Sequence, residues 1–277
     1  MSSPAPGPDL HFEPPPAMFD THCHLTSEAL KGTLPDVLAQ AEAAGVHGML
    51  SVSVDPLDAQ AALDLAQAHP QVWCTAGVHP SEAALGHDPM DLHVIAKDPK
   101  CLAWGELGLD GHWPEPSQAQ QHALLEAHLD AIGAWDQAGG RQLPIVVHCR
   151  KALDDLLPRL ASSGIDGERF VFHCFTDGPD EARRVLTFGA AISFTGVVTY
   201  PNAPDVAAAA AIVPDDRIMI ETDAPYLSPQ PVRGVRPNQP AHVVHTAAFL
   251  AHQRKMEVEA FAEIADANAQ RIYGMGA

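Results

Sequence analysis

The sequence predicts an α/β chain closed into a (β/α)8 barrel as a single domain. Three observations carry this reading. Eight short β-prone runs recur along the chain. Ala/Leu-rich segments that can carry an apolar helical face lie between them. The length, 277 residues, is close to the roughly 250 residues usual for that fold. An open doubly wound sheet is the alternative reading of the same alternation.

The runs are MFDTHCHL (18–25), GVHGMLSVSV (45–54), VWCTAGV (72–78), CLAWGELGL (101–109), LPIVVHC (143–149), RFVFHCF (169–175), AAISFTG (190–196) and RIMIETDA (217–224). Each is rich in β-branched, aromatic or aliphatic residues, as buried parallel strands require. The helical segments read as 33–44, 56–69, 118–139, 151–163, 178–188 and 203–212, with two more at 238–253 and 257–273. Proline or glycine often separates the elements. Residues 1–17, MSSPAPGPDLHFEPPPA, are Pro-rich and read as a disordered tail, so that the barrel domain is expected over 18–277. The tail lacks the basic and apolar regions of a secretory signal.

Bulk composition narrows the function classes. With 46% hydrophobic residues the chain can bury a sizeable core, and no apolar run approaches a membrane span. Five cysteines, an odd number with no CxxC, suit a reducing cytoplasm better than a disulfide framework. Asp and Glu number 35 against 16 Lys and Arg, a net charge of −19. Such a surface does not wrap a long polyanion by general electrostatics. It still permits a polyanion to be cut at a local cationic site, because bound divalent metals add charge that the residue count omits.

The chemistry-bearing residues gather where a barrel keeps its chemistry, at the C-terminal ends of strands. In a strand, alternate side chains face the same way, so His22 and His24 point together and Cys23 points away. His79 follows the third strand. Glu106 lies on the fourth, His148 on the fifth, His173 on the sixth and Asp223 on the eighth. The remaining histidines, such as His47, His93, His122 and His128, read as surface or second-layer residues. Cys23, Cys149 and Cys174 directly follow histidines of the set. They are either thiolate ligands or small residues on the opposite strand face.

Four histidines, one Glu and one Asp exceed the needs of one tetrahedral zinc and suit two metals. Glu106 is the natural bridge, since a carboxylate has two oxygens and a Glu inside an apolar strand needs partners. Two bridged metals about 3.5–4 Å apart can clamp both oxygens of a displacement. Asp223 is placed to ligate one metal and to orient or accept the proton of the attacking water. Donor chemistry admits Zn, Mn or Mg.

The motifs MFDTHCHL, GVHP, GELGLD, LPIVVHCR, FHCFTDG, ISFTG, ETDAPYL and RGVRPNQP, in this order, resemble the TatD-type metal-dependent deoxyribonucleases of the amidohydrolase superfamily. The resemblance spans residues 18 to 273. It implies a distorted (β/α)8 barrel, a cytoplasmic location and two metals. One metal then falls to His22, His24, Glu106 and Asp223, the other to Glu106, His148 and His173. His79 matches a substrate-contacting histidine. Some loops depart from the pattern: Gly111, His112 and Trp113 follow Asp110, FTD replaces FTG, and Gln239 stands where an acid is common. These bear on the substrate and leave the ligand set intact.

Two enzyme classes follow. The first is a phosphodiesterase acting on single-stranded DNA ends, with His79, Arg150 and Arg233 as phosphate contacts. The second keeps the metals and hydrolyses a carbonyl, such as an aminoacyl ester, an activity on aminoacyl-tRNA that the resemblance also implies. A non-enzymatic metal scaffold would not need Asp223. No obligate protein partner is expected.

Overall fold

The computed structural model describes residues 15–275; most of the expected Pro-rich tail, residues 1–14, lies outside them. Eight parallel strands form one sheet in sequential order: β1 (Met18–Cys23), β2 (Val46–Ser51), β3 (Val72–Ala76), β4 (Cys101–Asp110), β5 (Ile145–Arg150), β6 (Phe170–Phe172), β7 (Ala191–Phe194) and β8 (Ile218–Ile220). All eight expected runs form strands. The helices are α1 (Glu28–Lys31), α2 (Leu34–Ala43), α3 (Pro56–Ala68), α4 (His93–Ala96), α5 (Gln118–Gln137), α6 (Leu153–Ser162), α7 (Pro179–Phe188), α8 (Pro204–Ile212), α9 (Val243–Arg254) and α10 (Val258–Tyr273). The doubly wound alternative requires a switch in strand order, and the sheet has none. Among the described residues no helix is long and apolar enough to cross a membrane.

Side-chain alternation builds two apolar layers. Ile145 and Val147, Phe170 and Phe172, and Ile218 and Ile220 pack outward against the helices. The residues between them, Val146, Val171 and Met219, join Leu50 and Val52 in a second cluster. His148, His173 and Glu221 continue that second parity, so the fold aims them inward without further adjustment.

The barrel is nearly closed. The β8–β1 seam carries one isolated bridge, Cys23 with Ala224. Around it, the Asp223 amide donates to His22 O at 2.9 Å and the His24 amide donates to Ala224 O at 2.7 Å. Buried Asp20 accepts from the Thr222 amide at 2.9 Å and from the Thr222 hydroxyl. Close approach at the centre depends on two glycines. A Cβ on Gly77 would meet the Gly105 carbonyl carbon at 2.2 Å, and Gly105 itself has φ +118°.

One connection departs from the expected alternation. Between β3 and β4 the chain makes two 3₁₀ turns, at 80–85 and 89–92, and only the short α4. Pro80, Pro89 and left-handed Gly86 break any longer helix there. Local signals elsewhere are ordinary. Asp55 caps α3 ahead of Pro56, and Ser117 with Gln120 forms a capping box on α5.

His128, on α5, is buried to 1% exposure. Its Nδ1–H donates to Leu124 O at 2.9 Å, and its Nε2 accepts the Val78 amide at 3.1 Å. The ring thus pins the chain one residue before His79. Burial lowers its pKa to about 4 from the ordinary 6.5. Between those values the unfolded chain takes a proton that the fold refuses. The stabilisation is therefore complete above pH 6.5 and is lost as pH falls towards 4. Lowering pH from 7 to 5 is expected to cost about 2 kcal/mol through this group. Urea denaturation of wild type and His128→Gln at both pH values checks it: the variant should lose visibly less stability on acidification.

Candidate metal centre

Glu106 lies in β4, where the pairing with β5 slips between Trp104 and Leu107. The slip turns the carboxylate to the barrel axis, where it is 2% exposed. Its two oxygens face different partners. Oε1 lies 3.6 Å from both His22 Nε2 and His24 Nε2. Oε2 lies 2.8 Å from His173 Nε2 and 3.3 Å from His148 Nδ1.

Asp223 completes the first set. Its Oδ1 is 3.8 Å from His22 Nε2 and 3.4 Å from His24 Nε2, and the two imidazole nitrogens are 3.4 Å apart. A tetrahedral cation bound at about 2.1 Å implies ligand separations of about 3.4 Å. The five separations among these atoms thus match one coordination sphere. On the other side, Glu106 Oε2 is buried with no hydrogen-bond donor, although His173 Nε2 is near, because the approach is off the N–H···O direction. A buried carboxylate oxygen without a donor is costly unless a cation satisfies it. The residues therefore fit a two-metal site. No thiol joins the metal-competent groups among the described residues. All five cysteines are free, and Cys23 points away to Leu50 O at 3.4 Å.

The outer partners orient the rings. His24 Nδ1–H donates to Val52 O at 3.0 Å, which leaves Nε2 as the inward lone pair. His148 turns Nε2 to Asp110 Oδ2 at 3.0 Å and so presents Nδ1. His173 Nδ1 faces Glu221 Oε1 at 3.4 Å, and that oxygen also accepts the Cys174 amide at 2.6 Å. His22 stacks on His173 with centroids 3.8 Å apart. Asp110, Glu221 and His128 are the positioning groups that sequence reasoning missed. Glu221 stands two residues before Asp223 in the run RIMIETDA, and strand alternation gives the two one parity, which was a readable signal.

Electrostatics link these groups. Burial pushes the Glu106 carboxyl up, yet the surrounding histidines, His173 first, hold it well below its ordinary value. Asp223 is likewise lowered, with burial outweighed by His24 and His22. Burial also opposes charge on the imidazoles, but the carboxylates raise His24 to about 9 and His173 well above its ordinary value. His22 goes down, through burial and the His173 ring. Coordination needs an imidazole lone pair, so a divalent cation competes here with protons.

His79 sits at the edge of the cluster. Its Nδ1 accepts the Ser81 amide at 3.0 Å, so Nε2 carries the hydrogen. Nε2 lies 3.2 Å from His148 Nδ1 and 3.9 Å from Glu106 Oε2. Burial depresses its pKa to about 3. A neutral ring protonated inward is a donor, whereas His24 and His148 commit their outer nitrogens to Val52 O and Asp110. The mouth is a cavity of about 260 Å³ bounded by His24, His79, Glu106, Asp58 and Tyr226. A larger groove of about 480 Å³, lined by Leu157, Arg183 and Phe188 on the outer helices, holds no metal-competent group. Arg150 and Arg233 stay outside the cluster. Arg150 ends β5 and is exposed, and Arg233 stacks on the Tyr200 ring at 3.9 Å.

The family profile described as TatD related DNase matches residues 19–274. The chain belongs to the TatD family. This places it among the metal-dependent hydrolases of the amidohydrolase superfamily. It is 35% identical over 266 residues to the uncharacterized metal-dependent hydrolase YcfH of Escherichia coli K12, covering 94% of this chain and 97% of that protein. It is 34% identical over 273 residues to the 3'-5' ssDNA/RNA exonuclease TatD of Citrobacter rodentium, covering 93% and 98%. The crystal structure of YjjV, a TatD homolog from Escherichia coli K12, superposes with a TM-score of 0.84 at 26% identity, covering 93% and 98%.

The carboxylates behind the TatD-type ligands supply a test. Glu221→Gln keeps the side-chain volume and weakens the hold on His173. Divalent-cation affinity should fall about 10-fold or more. Competition titration against a chromophoric chelator measures it, and unchanged affinity would remove the orienting role.

Proposed function

We propose that this TatD-family protein is a two-metal phosphodiesterase that shortens single-stranded DNA from an end. The observation that carries the reading is the divided carboxylate of Glu106, one oxygen toward His22 and His24 and the other toward His148 and His173. The Citrobacter rodentium relative, named as an exonuclease on ssDNA and RNA, supports the substrate class.

His22, His24, Glu106 and Asp223 would hold one cation, and Glu106, His148 and His173 the other. Such cations neutralise phosphoryl charge and acidify a water nucleophile. The donor set of imidazoles and carboxylates suits Zn or Mn and accommodates Mg. Asp223 takes the proton of the attacking water, since its Oδ1 faces the same nitrogens as Glu106 Oε1. His79 donates Nε2–H to a phosphoryl oxygen, as its Ser81 contact dictates. Arg150 and Arg233, at the rim, meet the phosphates of neighbouring nucleotides. The small mouth and the net charge of −19 disfavour a duplex and admit a flexible terminus. Five unpaired cysteines accord with a cytoplasmic setting.

The decisive assay offers the metal-loaded protein a labelled linear single strand, a circular strand of equal composition, RNA and an aminoacyl ester. The linear strand should be shortened while the circle resists. Equal degradation of the circle would rule out end-directed action. Hydrolysis of the ester alone would replace the phosphodiesterase by the carbonyl hydrolase.

Asp223→Asn tests the proton role. An amide still ligates weakly but cannot accept the proton, so turnover should fall roughly 10² to 10⁴-fold. A variant that retains more than about a tenth of wild-type kcat would exclude that role.

A further inference from the structure

The chain carries 16 Lys and Arg among 35 acids. Ten of these cations are tied to carboxylates or to backbone carbonyls. Among the described residues, the six without either partner are Lys97, Arg150, Lys151, Arg233, Arg236 and Lys255. Four of the six stand on segments leaving the C-terminal ends of strands: Arg150 and Lys151 at the end of β5, and Arg233 and Arg236 after β8. Uncompensated positive charge is therefore concentrated at the mouth of an otherwise acidic protein.

Beside the β5 pair stands Trp113, with 59% of its surface exposed. Tryptophan is enriched at contact surfaces because its ring is apolar while its N–H is polar, and it is suited to that use when it is held in place. Trp113 is held. Asp110 Oδ1 accepts from the His112 amide at 2.7 Å and from the Trp113 amide at 3.4 Å. The Gly111 amide donates to Arg150 O at 2.7 Å, and a Cβ at Gly111 would meet Lys151 O at 2.6 Å. The His112 ring packs edge-to-face on the indole at 4.7 Å, and Lys151 Nζ reaches His112 Nδ1 at 3.2 Å. The other oxygen of Asp110 holds His148. One carboxylate thus fixes both the inward ring and the turn that presents the indole.

We propose that Trp113 and Lys151 form a nucleotide subsite at the mouth, where the indole stacks on a base of a single strand and Lys151 meets an adjacent phosphate. The proposal rests on the nuclease reading above. A flat aromatic face beside an ammonium that no carboxylate neutralises matches a base and its phosphate, and stacking accepts any base because each has a π-face. Bases inside a duplex are already stacked, so the subsite favours single strands.

The test uses linear single strands carrying one abasic nucleotide at each of the first four positions from the hydrolysed end. At one position the wild-type KM should rise about tenfold, within the range for base–aromatic stacking. Trp113→Ala should show that rise already on the intact strand, with no further rise at the abasic position. Trp113→Phe should restore the positional effect, and Lys151→Gln should raise KM and flatten its salt dependence. A wild type indifferent to abasic nucleotides at every position overturns the subsite and leaves the nuclease reading standing. So does an equal loss by Trp113→Ala on intact and abasic strands. If the wild type shortens no strand at all, the nuclease reading falls and the subsite with it.

Discussion

The rest of the structure is arranged around a buried negative charge. Glu106 is 2% exposed at the centre of the barrel. A carboxylate there is expensive unless positive or polar partners surround it. Here the partners are imidazoles from β1, β5 and β6 and from the end of β3. Burial alone would drive the carboxyl to its neutral form, and the histidines reverse that. The backbone is tight around it: a side chain on Gly77 would strike the Gly105 backbone, and one on Gly105 would strike Val146 O at 2.5 Å. Replacing either would displace the carboxylate before it touched any ligand.

The same hydrogen bonds that close the barrel set the ligand spacing. β8 and β1 barely pair as strands. Their seam is held where the Asp223 amide meets His22 O and the His24 amide meets Ala224 O. Asp20 and Thr222 tie the two segments from below. Asp223 has φ +53°, a left-handed conformation that Asp tolerates better than most residues. That turn of the chain places its carboxylate opposite the His22 and His24 rings. Barrel closure and ligand geometry are therefore one constraint, and weakening the seam would disperse the first ligand set.

Much of this was legible because it follows from strand periodicity. His22 with His24, His148, His173 and Asp223 stand at strand ends in runs whose apolar neighbours mark the strand. Glu106 was legible as an acid in an apolar run, and the structure brings all six to one centre. What stayed hidden depends on contacts between distant segments. Asp110 reaches His148 across a strand pair, and His128 reaches Val78 from a helix 50 residues away. His128 looked like one of many helix histidines, and only its burial separates it from the exposed ones. The β3–β4 connection also escaped the alternation, because prolines replace a long helix by two tight turns. Arg150 and Arg233 were legible as cations near the mouth, but their distance from the cluster depends on loop paths that periodicity does not encode.

Charge distribution joins the centre to its rim. Four carboxylates, Glu106, Asp110, Glu221 and Asp223, crowd the inner end of the barrel. On the nuclease reading a phosphate moving inward would meet that field, and divalent cations held by the histidines would reverse its sign. The rim has the opposite character, with Arg150, Lys151, Arg233 and Arg236 free of carboxylates. On the nuclease reading a strand would therefore be captured at the rim by ordinary surface charge, which salt screens. It would advance to the centre only where metal makes the interior attractive. On that reading such a division would give weak, reversible capture and strict metal dependence of turnover, as suits a net charge of −19 that opposes a polyanion.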